Sequence, residues 1–93
     1  MERQVVLVNP TGLHARPASI FVAEANKFQS EVYVEAKGKR VNAKSILGLL
    51  TLALGKGTPL TIITSGTDEE QALNALCELV ENGIGESTSI QEK

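Results

Sequence analysis

The sequence predicts a two-layer α+β fold in which three helices cover one face of a mainly antiparallel four-stranded sheet. Short β-branched runs with a period of two recur near residues 5, 33, 41 and 62. Apolar residues spaced three and four apart fill the stretches after residues 15, 46 and 69. Turn chemistry separates these runs in the order β-α-β-β-α-β-α. Elements with one apolar face each need a second layer to bury it.

The first strand spans Arg3 to Val8, and Asn9-Pro10-Thr11-Gly12 ends it as a turn. The first helix runs from Ala15 to Lys27 or Phe28. Its apolar stripe is Ala18, Phe21 or Val22, Ala25 and Phe28, with Glu24 and Lys27 facing water. Glu31 to Ala36 alternates Val32, Val34 and Ala36 with polar neighbours, the pattern of a strand with one wet face. Lys37-Gly38-Lys39 turns the chain back through Arg40 to Ala43. Ser45 is placed to cap a helix from Ile46 to about Leu52, which is apolar on nearly all sides. The fourth strand is Leu60 to Ser65. Thr67 or Asp68 caps the last helix, whose first turn holds Glu69 and Glu70. That helix should bury Ala72 or Leu73, Leu76, Leu79 or Val80, and Ile84.

Ninety-three residues make one domain. The apolar fraction of 42% is ordinary for a globular chain, and the net charge of −2 argues against a nucleic-acid binder working by bulk positive charge. With aromatics at 3% and no tryptophan, a base-stacking platform has nothing to stand on. Cys77 is the sole cysteine, so neither an internal disulfide nor a thiolate cluster for a metal can form. Its helical setting makes it a packed thiol. The longest apolar run, Ile46 to Leu54, is too short to cross a bilayer, and the N-terminus lacks a signal-peptide core. The expectation is a cytoplasmic chain, with residues 86–93 a polar tail that frays.

The stretch Gly12-Leu13-His14-Ala15-Arg16-Pro17-Ala18-Ser19 carries the chemistry. Pro17 fits the first turn of the helix, because its fixed φ suits that turn and its missing N–H would have been unpaired there. The N–H groups of Ala15 and Arg16 are then left free beside His14, the only histidine. Free amides and the positive end of the helix dipole suit a small anion. The Arg16 guanidinium can fork onto phosphate oxygens. An unprotonated imidazole nitrogen is the atom able to attack phosphorus. The pattern is a candidate nucleophile beside a phosphoryl cradle. The plainer readings are a surface histidine and a solvated arginine, and the residues alone reach no further than an anion-binding α/β domain.

GLHARPAS resembles the phosphorylation-site motif of HPr, the histidine-containing phosphocarrier of the bacterial phosphoenolpyruvate:sugar phosphotransferase system. A second stretch, Asn42-Ala43-Lys44-Ser45-Ile46-Leu47-Gly48-Leu49-Leu50, resembles that family's regulatory-serine segment, about thirty residues on. The similarity runs from about residue 2 to about residue 85. It implies an HPr-like open-faced β-sandwich with strand order 1-4-2-3, formed by an HPr domain over residues 1–85.

The resemblance also implies roles. His14 would accept a phosphoryl group on Nδ1 from phospho-enzyme I and pass it to enzyme IIA domains for sugar uptake. Arg16 would stabilise that group, with the Ala15 and Arg16 amides as its cradle. Ser45 would be the target of HPr kinase/phosphorylase, favouring a catabolite-control repressor over enzyme I. Ile46, Leu47 and Leu50 match the partner-contact positions, with leucine at 47 and 50 where methionine is common in the family, and Ile20 would extend the patch from the first helix. Lys39, Arg40 and Lys44 would rim that surface. The chain would be a monomeric relay without metal or cofactor, binding no nucleic acid and inserting into no membrane. The alternatives are a mainly regulatory module acting through phospho-Ser45, as in histidine-less paralogues, and a branch serving nitrogen regulation. Retention of His14 argues against the first of these as a sole role, and the serine segment argues against the second.

Overall fold

The computed structural model describes residues 1–85, and the predicted polar tail at 86–93 lies outside the described residues. The elements are β1 (Glu2–Val6), α1 (Ala15–Ala25), β2 (Glu31–Ala36), β3 (Lys39–Asn42), α2 (Ile46–Leu50), β4 (Pro59–Ser65) and α3 (Glu69–Glu81). The four strands form one antiparallel sheet in the order β1-β4-β2-β3, as the resemblance implied. The open-faced sandwich of the HPr family is the observed fold.

Alternation divides the sheet into two faces. Val5, Val32, Val34, Ala36, Leu60 and Ile62 are buried beneath the helices. Gln4, Thr61, Glu35 and Arg40 lie across the other face in one register row. Arg40 pairs there with Glu35 at 3.2 Å, an exposed contact of small energetic value. On the covered face α3 packs on β1 and β4, and α1 packs between α2 and α3. Phe21, Leu49, Leu73, Leu76 and Val80 fill the space between the layers, each contributing about 1.5–3 kcal/mol by burial.

Several boundaries differ from the sequence reading. α1 ends at Ala25, because the Asn26 side chain takes the Val22 carbonyl and the next N–H groups tighten onto i−3 oxygens. Phe28 is therefore outside the helix and only half-buried. β1 begins at Glu2 and stops at Val6, which faces Pro59, a residue with no N–H to offer the ladder. β3 starts at Lys39, one residue early, because Lys37 and Gly38 alone make the turn with φ of 55° and 77°. α2 is one and a half turns long, and Leu52 is buried just beyond it. Ile84 is buried as predicted but lies past α3. There Gly83 N–H reaches Val80 O and Ile84 N–H reaches Leu79 O, a C-terminal motif that places Gly83 at φ 89°. Cys77 is a packed thiol, pushed above its ordinary pKa by burial against the pull of Arg3.

The start of α3 is the larger correction. Asp68 is the N-cap residue, yet its carboxylate makes no cap bond. It instead accepts from the Ser30 hydroxyl and from the N–H groups of Gln29 and Ser30, tying α3 to the turn before β2. The Ser30 hydroxyl first, then the Gln29 amide, hold the Asp68 carboxyl below its usual 3.8. A depressed folded-state pKa stabilises the fold fully above the unfolded value, and that contribution disappears as pH falls through the folded value. Asp68→Asn is expected to lower the urea midpoint at pH 7. The gap between variant and parent should narrow as the pH is taken below 3.8.

Candidate phosphoryl site at the start of α1

His14 is the N-cap of α1, with extended backbone at φ −127° and ψ −160° and no side-chain cap bond. It is exposed, as are Ala15 and Arg16, while Leu13, Pro17 and Ala18 are buried on either side. The first helical bond runs from Ala18 N–H to His14 O at 2.8 Å. Among the described residues the N–H groups of Ala15 and Arg16 meet no acceptor, and Pro17 has no N–H. Two donors at the positive end of an eleven-residue helix thus open to solvent beside an imidazole. The Arg16 guanidinium has no ion-pair partner among the described residues, so it can turn onto an anion held there.

Two contacts that sequence reasoning missed hold this loop. The buried Asn9 side chain donates from Nδ2 to Gly12 O at 2.6 Å, and Gly12 N–H returns to Asn9 O at 3.2 Å. Leu13 pairs with Leu54 in an isolated antiparallel bridge, its N–H meeting Leu54 O at 2.8 Å. Both leucines are buried, which turns His14 outward. Gly12 sits at φ 73°, and a Cβ there would lie 2.5 Å from Leu54 O. The local signal for Asn9 was present, since Asn before Pro-Thr-Gly is Asx-turn chemistry. No local signal marks Leu54.

Ser45 caps α2, its Oγ accepting from Gly48 N–H at 3.2 Å. Lys44 lies alongside, donating from Nζ to Phe28 O at 2.8 Å, so it is committed to the end of the α1 turn. Of the expected partner positions, Leu47 is 77% exposed and Ile46 40%, whereas Leu50 and Ile20 are half-buried against the core. Leu49, Leu52 and Leu54 are buried, which resolves the apolar-all-round pattern into an inner and an outer side. Lys39 and Arg40 are exposed on β3. The described residues contain no group of three side chains able to hold a metal ion, and no helix long and apolar enough to cross a membrane.

Gly12→Ala adds a methyl group where there is no room and in a left-handed conformation. The expected loss is about 1–2 kcal/mol, and each kcal/mol lowers Tm by about 4–8 °C in a domain of this size. Calorimetry checks this, and the Leu13 amide should lose hydrogen-exchange protection alongside it.

The family model described as "PTS HPr component phosphorylation site" matches residues 1–82. The HPr-like protein Crh of Halalkalibacterium halodurans is 53% identical over 81 residues, covering 87% of this chain and 96% of that protein. Among solved structures, HPr-C-His from Thermoanaerobacter tengcongensis is similar with a TM-score of 0.89 and 45% identity, covering 94% of this chain and 98% of that one. Crh of Bacillus subtilis, described as a swapped, intertwined dimer, gives a TM-score of 0.73 and 49% identity over 87% and 93% of the two chains. A match over most of the length, with the same sheet order, leaves one conclusion: the chain belongs to the HPr family.

Proposed function

We propose that this protein is a cytoplasmic phosphocarrier that accepts a phosphoryl group on His14 from phospho-enzyme I and donates it to enzyme IIA domains for sugar uptake. The observation that carries this reading is the exposed His14 imidazole beside two open amides, at Ala15 and Arg16. Transfer forms a bond from ring nitrogen Nδ1 to phosphorus as the donor's nitrogen–phosphorus bond breaks. The reaction needs alignment and charge stabilisation more than acid–base machinery. The amides and Arg16 supply that stabilisation where negative charge gathers. An exposed site is open to a histidine on another protein, which suits a relay more than an enzyme with its own substrate pocket.

Docking falls to Leu47 and Ile46, with Leu50 and Ile20 at the margin, because an exposed apolar patch with a polar rim suits a protein partner. Ser45 fits a regulatory role beside this surface. Phosphorylation there by HPr kinase/phosphorylase adds about two negative charges next to an apolar face, without requiring the helix to unfold. The similarity to Crh favours a second reading, in which phospho-Ser45 and a catabolite-control repressor carry the main function. His14 and Ser45 allow both roles in one chain. The relay reading is of a monomer; the swapped dimer described for Bacillus subtilis Crh makes oligomeric state worth measuring by light scattering.

Incubation with enzyme I and labelled phosphoenolpyruvate should give an acid-labile label that His14→Ala abolishes. An unlabelled parent chain would overturn the carrier reading and leave the regulatory one. Arg16→Ala should slow transfer about 10- to 100-fold while His14 remains phosphorylatable, the equivalent of one charge-assisted hydrogen bond of about 1.5–3 kcal/mol. Ser45→Asp should weaken phosphorylation by enzyme I, and a normal rate would remove the inhibitory role.

A further inference from the structure

The Leu13–Leu54 bridge pairs the residue before His14 with the residue after Ala53. Ala53 is exposed and held at φ 51°, a left-handed conformation that costs energy for a residue with a side chain. Two other described residues with a side chain share a positive φ, and each has a local reason. Lys37 belongs to a two-residue hairpin turn, and Ile84 follows the C-terminal motif of α3. Ala53 ends the run from α2: its N–H donates to Leu50 O, and the next carbonyl, that of Leu54, meets Leu13 N–H. The far side of the loop is also tied down, since Gly57 N–H donates to Leu7 O at 2.7 Å. The strained residue thus sits at the one corner where the chain leaving α2 must turn to grip the His14 loop.

We propose that Ala53 is a positioning residue for His14: its left-handed backbone aims the Leu54 carbonyl at Leu13 N–H, and that bond fixes the imidazole beside the α1 amides. This rests on the reading of His14 as a phosphoryl acceptor. Backbone strain is retained where the surroundings over-determine it, and such strain clusters at functional sites. Ala53 touches no phosphoryl group in this account and acts through Leu54. Its position also connects the Ser45-capped helix to His14 by a short covalent path and one hydrogen bond.

The demand is on the backbone, so the side chains that test it differ in their tolerance of positive φ. Ala53→Gly adopts the conformation without steric cost, and Ala53→Val, β-branched, resists it. Three readouts separate positioning from folding: hydrogen exchange at the Leu13 amide, kcat and KM for phosphorylation by phospho-enzyme I, and the rate of His14 phosphorylation by phosphoramidate. In the last reaction a ring nitrogen–phosphorus bond forms, the phosphorus–nitrogen bond of the reagent breaks, and ammonia leaves with the ring proton.

Ala53→Val should raise Leu13 exchange at least tenfold and lower kcat at least tenfold, with KM within twofold of the parent. It should also slow labelling by phosphoramidate, and Ala53→Gly should match the parent in all three readouts. A valine variant that loses Leu13 protection yet keeps its kcat overturns the proposal, as does a glycine variant that loses kcat. Should Ala53→Val not fold, Ala53→Leu makes the same comparison with a smaller steric penalty. If enzyme I fails to label the parent chain while phosphoramidate labels the variants in the expected order, the positioning role holds and the carrier reading falls. Labelling of the parent by neither donor removes both.

Discussion

One backbone hydrogen bond, from Leu13 N–H to the Leu54 carbonyl, joins the two parts of the chain on which the site depends. On one side of it stands the loop that delivers His14 to the start of α1. On the other stands the segment leaving α2, whose outer face offers Ile46 and Leu47 to solvent. The bond is possible because Gly12 carries no side chain and because both leucines are buried. Without it the loop before His14 would be held only by the Asn9–Gly12 bonds and by the first helical bond from Ala18 N–H to His14 O. The sheet and α3 contribute indirectly, by supplying the rigid floor against which α1 and α2 pack.

The site combines rigid and open parts. Leu13, Pro17 and Ala18 are buried around His14, while the ring and the adjacent amides are exposed. This division suits a group that must be held briefly and surrendered. A buried phosphohistidine would be protected but unreachable by a second protein. An exposed one on a mobile loop would cost entropy at every transfer. The amides are fixed donors that need no reorganisation when charge arrives. Arg16, unpaired among the described residues, is the adjustable component.

Much of the fold was legible because it is local. The stripe through Ala18, Phe21, Val22 and Ala25 marked α1, and the alternation of Val32, Val34 and Ala36 marked β2. Ser45 was readable as a cap because its bond to Gly48 spans three residues. Strand order was not readable from periodicity, since pairing β1 with β4 joins segments more than fifty residues apart, and it came from the resemblance alone. Asp68 was rightly placed at the cap, but the destination of its carboxylate was not readable, for the same reason. A carboxylate before Glu69 and Glu70 looks like a cap, and nothing nearby shows that Ser30 will claim it. At the site, His14, Ala15 and Arg16 stood in one motif, whereas the restraint from Leu54 and the strain at Ala53 exist only once the chain has folded.

The proposed relay depends on the open amides of α1 receiving the phosphoryl group on His14. The most direct measurement is a pair of proton–nitrogen correlation spectra of the isotope-labelled chain, before and after phosphorylation of His14. The Ala15 and Arg16 amide protons should move strongly downfield on phosphorylation, as donors to a dianion do, and return when the group is lost. Phosphorylated His14 with both amide signals unmoved would contradict it.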